Sequence, residues 1–550
     1  MQPVSAWYEA RSAFRGPRAA IARRRSTYAL ARWWFLRLLG VVYLVAFWSL
    51  ATQILGLVGH NGILPAGVGD TWLRGVCVGG VALAMLLIAG VAPAALLPLL
   101  WAAYLSLSMW CGPFLSFQWD ALLLETGLLA IFIAPDTWRD RLRTAADPPR
   151  LAVWLMWWLL FRLMVGSGAV KLASGDPTWR DLTALTFHFE TQPIPTPVAW
   201  YAHHFPAWFN KGSTVVVLAI ELFAPFSIIG PRRLRAIAFG LLVGLQSLIV
   251  LTGNYAFFNL LSAALCLFLL DDEAFGRTGA RAETTVSGAR GFPPSRKLRR
   301  TAAALAEAGQ PSVTARLKGS PSMNLIRRLR HAALIAVAVV TVPVSALAFT
   351  SGVGFELQFW PLVAPVADLI APLRSVNRYG LFAVMTTTRP EIIVEGSDDG
   401  EQWLSYEFTY KAGDVRRRPP WVAPHQPRLD WQMWFAALGR YDDDPWVQSL
   451  FARLLEGSPE VLRLLERDPF RGRPPRYVRG VLYRYRFSDA AARRRDGAWW
   501  TRERLGVFSP VMSLRKVSSK APSNDCQTHS MTEQGGGAPD GSTAAGHPDT

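Results

Sequence analysis

The chain has 550 residues, 51% of them hydrophobic, and a mean hydropathy of +0.19. Apolar residues in such proportion, gathered in long blocks, exclude an ordinary soluble protein and mark a polytopic membrane protein. The formal charge of +18 implies no nucleic-acid partner, because much of the arginine flanks apolar blocks as a topology signal and no nucleic-acid-binding motif is present.

The chain opens with a basic leader, 1–32, carrying Arg11, Arg15, Arg18, Arg23, Arg24, Arg25 and Arg32 against the single acid Glu9. It is too long, and the first apolar run too wide, for a cleavable signal peptide, so that run is expected to be a signal anchor. A bilayer-length window predicts about nine spans, near 38–58, 75–92, 94–111, 117–134, 151–171, 213–230, 236–252, 255–270 and 331–350. The transmembrane bundle thus covers 33–270, a flexible loop 271–330, and the last helix 331–350. Arg139, Arg141, Arg143 and Arg150 in one loop, Arg232, Arg233 and Arg235 in another, and the basic runs at 296–300 and 327–330 fall on alternate connections. By the positive-inside rule those loops and the N-terminus are cytoplasmic. The outer loop 172–212 and everything after 350 then lie outside the cytoplasm.

Residues 351–515 read as an extracytoplasmic β-rich (α+β) domain. EIIVEGSDDGEQW at 391–403 is a strand and a turn, 477–487 is a further strand, and 446–466 is a helix. Residues 516–550 read as a disordered tail. The fold class is therefore a polytopic α-helical bundle followed by a β-rich domain. The four cysteines, Cys77, Cys111, Cys266 and Cys526, form no CxxC or Cys/His cluster, so no disulfide framework, zinc site or thiol redox centre is expected. No inverted repeat or matching pair of broken helices marks a transporter.

Polar residues inside the apolar blocks are candidate site residues. Arg162 lies near the middle of a span, where it costs about 2.5–3.5 kcal/mol on insertion scales, so a partner facing the bundle interior is expected. Gln118, Asp120 and Glu125 enter another span, and Glu221 sits in an otherwise apolar run. Asp120, Glu125 and Glu221 are the candidate partners. Asp120 and Glu125 stand about 140° apart around a helix and need not share a face. Lys171 follows GSG where a helix leaves the hydrocarbon. It reads either as a snorkelling anchor or, in a poorly hydrated pocket, as a base with a lowered pKa.

The outer loop is dense in polar residues: Asp176, Trp179, Arg180, His188, Glu190 and Gln192. His188, Glu190, His203 and His204 lack the HxxxH helix spacing of a metal site, and no metal is expected. In the outer domain Asn377, Tyr379, Arg389, Glu391, Arg428, Asp430 and Trp431 form either a structural corner or a face for a partner polypeptide, since Arg and Trp anchor interfaces.

SFQWDALLLETG at 116–127, FRLMVGSGAVKL at 161–172, GDPTWRDLTALTFHFETQPIPTPVAWY at 175–201, VNRYGLF at 376–382 and RRPPWVAPHQPRLDWQMWFAA at 417–437 resemble the lipase maturation factor family. The resemblance runs from about residue 35 to 515, leaving out the leader, 276–322 and the tail. It implies a multi-spanning membrane protein, in animals of the endoplasmic reticulum, that assists folding and assembly of secreted lipases through an outer client-binding domain. It implies no cofactor and carries over no catalytic residue. The Ala-, Arg- and Gly-rich composition resembles that of a high-GC bacterium, where the equivalent site is the cytoplasmic membrane. A shorter segment, Gly168 to Leu172 followed by Trp179, is similar to vitamin K-dependent γ-carboxylases and their transmembrane relatives. That likeness implies an alternative, a quinone-linked enzyme with Lys171 as base. A quinone-like ligand in the bundle favours the enzyme; an empty, tightly packed bundle favours the chaperone.

Overall fold

Backbone amides and carbonyls in hydrocarbon must pair within their own segment, so the apolar blocks fold as helices. The structure, a computed structural model, describes residues 26–276, 321–355 and 359–514. The leader to residue 25, the basic run at 296–300 and the tail with Cys526 lie outside the described residues. The membrane part comprises α1 (Ala29–Ala51), α2 (Ile54–Val58), α3 (Asp70–Ile88), α4 (Pro93–Trp110), α5 (Gln118–Ile133) and α6 (Arg150–Ala173). Three short helices of the outer loop follow, α7 (Pro177–Arg180), α8 (Ala184–Thr191) and α9 (Pro197–His203), then α10 (Ala207–Phe223), α11 (Arg232–Thr252), α12 (Phe258–Cys266), α13 (Pro321–Gly352) and α14 (Trp360–Ile370).

Each of the nine predicted spans corresponds to a helix, and seven are long and apolar enough to cross a bilayer: α1, α3, α4, α6, α10 with the turn that continues it to Ile229, α11, and α13 from Arg327. The other two are shorter. The 16 residues of α5 reach about 24 Å at 1.5 Å per residue, and most are buried. A helix buried on nearly every side, its polar Asp120 and Glu125 included, sits at the centre of the bundle, and α5 is the element on which the site is built.

Two boundaries differ from expectation. Helix α1 begins at Ala29, so Arg32 and Arg37 are helical and buried, because Asp140 accepts from both, at 2.8 and 2.5 Å. Helix α13 begins at Pro321, so the basic run 327–330 is on the helix rather than in a loop; Arg330 binds Asp136 at 2.5 Å and the carbonyls of Ile131 and Ala134 at the end of α5. Asp272 accepts from the Leu30 amide at 2.8 Å, a carboxylate at a helix N-terminus where the macrodipole favours it. Arg235 pairs with Asp271 at 3.1 Å. The basic connections thus gather at one end of the bundle.

The C-terminal domain covers the other end. Its elements are β1 (Arg389–Ser397), β2 (Leu404–Ser405), β3 (Glu407–Phe408), α15 (Arg428–Leu438), α16 (Pro445–Glu456), α17 (Pro459–Leu462), β4 (Leu465–Arg467), β5 (Tyr477–Phe487), α18 (Ala490–Asp496) and β6 (Trp500–Val507). An antiparallel sheet runs β2-β1-β5-β6, with Glu391 opposite Tyr483 and Arg389 opposite Tyr485. The predicted helix 446–466 is divided: Gly457 takes a left-handed conformation (φ 70°) that ends α16, and the chain continues as α17 and β4. Helix α15 and strand β6 had no counterpart in the sequence reading. The domain is also not free-standing, because residues up to Ser513 form one compact unit with the bundle.

Candidate functional site at the junction of bundle and outer domain

Three buried ion pairs order the site. Arg428, the first residue of α15, is fully buried and reaches Asp120 of α5 with both terminal nitrogens, at 2.9 and 3.0 Å. The guanidinium also donates to the Phe114 carbonyl at 2.6 Å, and the Tyr104 hydroxyl donates to Asp120 at 2.5 Å. Such a planar fork on a carboxylate fixes direction as well as charge. Trp431, one turn on, packs edge-on against Trp119 at 4.7 Å between ring centres. Asp430 turns back into its own domain and accepts from the amides of Tyr410 and Lys411 at 2.7 and 2.8 Å. Burial pushes its carboxyl up to about 6.

The second pair is Arg162 of α6 with Glu125 of α5. Of the three expected partners Arg162 takes Glu125, while Asp120 goes to Arg428 and Glu221 to Lys171. The VNRYGLF segment closes over this pair. Tyr379 donates to Glu125 at 2.6 Å, Asn377 donates to it at 3.3 Å, and the Asn377 carbonyl accepts from Arg162 at 3.2 Å. Gln118 accepts from the Gly380 amide at 3.2 Å. A Cβ on Gly380 would stand 2.5 Å from Val170 of α6, so only glycine lets the segment lie this close.

Lys171 and Glu221 form the third pair, with Nζ donating to both carboxylate oxygens at 2.8 and 2.6 Å. The ammonium lies 5.2 Å from the centre of the Trp179 ring. A Cβ on Gly168 would come within 3.0 Å of the Glu221 Cβ, so the small residue brings α6 and α10 together. Trp179 is fixed in turn by its indole N–H on the Phe382 carbonyl at 3.0 Å.

The outer loop joins this framework. Asp176 accepts from the amides of Thr178 and Met385 at 2.7 and 2.5 Å. Burial pushes its carboxyl up, but these amides outweigh that and hold it below its ordinary value. Arg180 is exposed. His188 contacts the Tyr255 hydroxyl at 3.1 Å, and burial, with the charge of Lys171, lowers its pKa to about 4. Glu190 accepts from the Phe487 amide at 2.7 Å and lies 3.7 Å from His203, so His188 and Glu190 turn to different partners. Gln192 accepts from Tyr255 at 2.9 Å. Among the described residues no three metal-ligating side chains converge.

Arg389 ties β1 to the outer loop through the carbonyls of Glu190, Gln192 and Pro193. It also sits 2.7 Å from Glu391, whose other oxygen is 3.0 Å from Lys411. These two contacts have ion-pair distance without hydrogen-bond alignment, so Glu391 is held by charge. Tyr379, Arg389, Glu391, Arg428, Asp430 and Trp431 are all buried and Asn377 is partly so. These seven residues therefore sit inside the molecule and not on an open face. Asn377, Tyr379, Arg389, Arg428 and Trp431 anchor an interface, as Arg and Trp commonly do, but it is the internal one with the bundle and its outer loop, while Glu391 and Asp430 are held within the outer domain. Tyr104 and Lys411 belong to this network and were missed, since neither stands out from its local sequence. Chemically the arrangement neutralises Asp120, Glu125 and Glu221 with one cation each and holds two parts of the chain in fixed relation.

The profile described as lipase maturation factor transmembrane domain matches residues 30–68 and 66–277, and that described as lipase maturation factor C-terminal domain matches 375–510. Lipase maturation factor 2 of Homo sapiens is 37% identical over 590 residues, covering 88% of this chain and 83% of the relative. The Gallus gallus protein of that name is 38% identical over 581 residues, 87% and 81%. Lipase maturation factor 1 of Bos taurus is 33% identical over 537 residues, 90% and 91%. No solved structure matches the chain. The alternative of a quinone-linked enzyme finds no support in these relatives.

Proposed function

Because the chain belongs to the lipase maturation factor family, we propose that it is a maturation factor for secreted proteins such as lipases, working at a bacterial cytoplasmic membrane. The observation that carries this reading is that the likeness spans both bundle and outer domain, the two parts that the buried pairs Arg428–Asp120 and Arg162–Glu125 hold together. A client-holding domain fixed rigidly to its membrane base presents a constant surface beside the bilayer to a chain emerging from it. The N-terminus is cytoplasmic and the outer domain extracytoplasmic in this reading, supported by the gathering of Arg32, Arg37, Arg235 and Arg330 at the end opposite that domain.

Crosslinking followed by mass spectrometry on intact membranes tests it. A secreted lipase or lipase-like protein is expected among the captured partners. A strain lacking the gene is expected to lose the corresponding secreted activity while its transcript persists. Full secreted activity in that strain, with no secreted protein captured, overturns the reading.

A further inference from the structure

A cavity of about 630 Å³ lies between α6, α10 and α11 under the helices of the outer loop. This is within the usual size of small-molecule sites. Its wall is mostly apolar, with Met164, Val217, Ile220 and Leu245 among its lining. At its rim stand Phe209, Val216 and Leu248, all exposed. Helices α10 and α11 are membrane spans with most of their length unburied, so the surroundings of that rim are hydrocarbon. That side of the cavity opens towards the bilayer.

One end of the cavity is polar, and its hydrogen-bonding state follows from its partners. The Gln192 amide nitrogen donates to the carbonyls of Thr252 and Phe189 at 2.9 and 3.2 Å, which turns its oxygen to Tyr255. The Tyr255 hydroxyl spends its one proton there. His188 Nε2, 3.1 Å from that hydroxyl, must then be the donor of that contact, and the imidazole is the Nε2–H tautomer. Its Nδ1 is a buried acceptor without a partner. Beside it Lys171 commits two of its three N–H groups to Glu221, and the pair carries no net charge. The wall therefore combines a long apolar body, a neutral polar end, a spare ammonium N–H and an unpaired imidazole nitrogen.

We propose that this cavity is a binding site for an acyl lipid drawn laterally from the bilayer, its chain between α10 and α11 and an uncharged, oxygen-bearing head beside Lys171, His188 and Tyr255. A free fatty acid in its protonated form and a mono- or diacylglycerol share this chemistry. Each has a carbonyl that accepts and a hydroxyl that donates. A phosphate head does not fit as well, since the Lys171 charge is already matched by Glu221. The proposal goes beyond the maturation role and stands apart from the identity of any client.

The test uses the full chain in nanodiscs of defined phospholipid, with three photoreactive probes: palmitate, diacylglycerol and phosphatidylethanolamine, each with the reactive group on the chain. The first two are expected to label peptides of α6, α10 and α11 at cavity positions, and excess unlabelled lipid of the same kind to suppress it. Which of the two labels more strongly distinguishes the sources. Val217→Trp and, as a second filling variant, Ile220→Phe are expected to cut cavity labelling by about tenfold or more. Labelling around Val78, an exposed position on α3, and thermal melting are expected to stay unchanged. Cavity labelling no stronger than that at Val78, labelling indifferent to a variant that folds, labelling by phosphatidylethanolamine alone, or co-purification of an isoprenoid quinone in place of acyl lipid overturns the proposal.

Discussion

Arg428 and Asp120 are 308 positions apart in the chain and meet in a two-pronged ion pair from which water is excluded, at 2.9 and 3.0 Å. One belongs to the outer domain and the other to the central helix of the bundle. Their contact fixes where the domain sits. Removing one partner of a buried pair typically costs about 3–5 kcal/mol, because a bare charge stays behind, whereas replacing both by apolar residues is often neutral. Arg428→Met is therefore expected to destabilise by about that amount and Arg428→Met with Asp120→Leu to recover much of it. Thermal melting of the purified chain checks this; a double variant as unstable as the single one argues against the pair.

Arg162→Leu leaves Glu125 facing Tyr379 and Asn377 without a cation. It is expected to lower the amount of folded protein in the membrane, and Glu125→Gln in the same chain to restore part of it, since an amide still accepts from Tyr379. Wild-type accumulation and melting of the single variant would place Arg162 outside the buried network.

Lys171→Arg keeps the charge opposite Glu221 and the contact with the Trp179 ring. As a structural anchor it is expected to be tolerated in complementation of a deletion strain. A base at this position would not survive the change, because guanidinium does not release its proton at accessible pH. An abundant, folded but inactive variant would reverse the structural assignment.

Acid sensitivity follows from titratable groups outside the spans, the buried Asp430 and the half-buried His188, His203 and His425. Burial lowers His188, His203 and His425 to about 4 from 6.5. Between these values the unfolded chain binds more protons, so their contribution is present above about 6.5 and lost as pH falls towards 4. Asp430, raised from 3.8 to about 6, acts in the opposite sense: its folded form binds the proton more tightly, so its contribution falls as pH rises from about 4 to 6. Glu190 and Glu407, also raised by burial, act with Asp430 against the three histidines, so removing one of these opposing carboxyls, as in Asp430→Asn, is expected to make the loss of stability on acidification steeper. Melting temperature against pH from 4 to 7 reads this out. A curve no steeper in Asp430→Asn than in the unaltered chain contradicts the assignment.

For topology, alkaline phosphatase fused after Ser513 is expected to be active in the periplasm and the same reporter inserted within 277–320 inactive. The reverse pair of results inverts the orientation.

The class of the protein was legible in its sequence because hydrocarbon imposes a local rule: each apolar run must satisfy its own backbone. Each of the nine predicted spans accordingly falls on helical residues, seven of them on helices long and apolar enough to cross a bilayer, and the strand expected at 477–487 has those bounds. The family was legible for a different reason, in long motifs such as 175–201 and 417–437. Helix α15 was not, because both of its faces are covered and no polar side marks its period. The choice among Asp120, Glu125 and Glu221 as partner of Arg162 was also open. Chemistry makes all three equivalent, and only the approach of α15, α6 and α10 to α5 and to each other assigns one cation to each. The same holds for Arg389, Glu391 and Arg428. Their residue types announced an interface, but which surface they meet depends on how elements hundreds of positions apart pack, and that is decided by the tertiary structure alone.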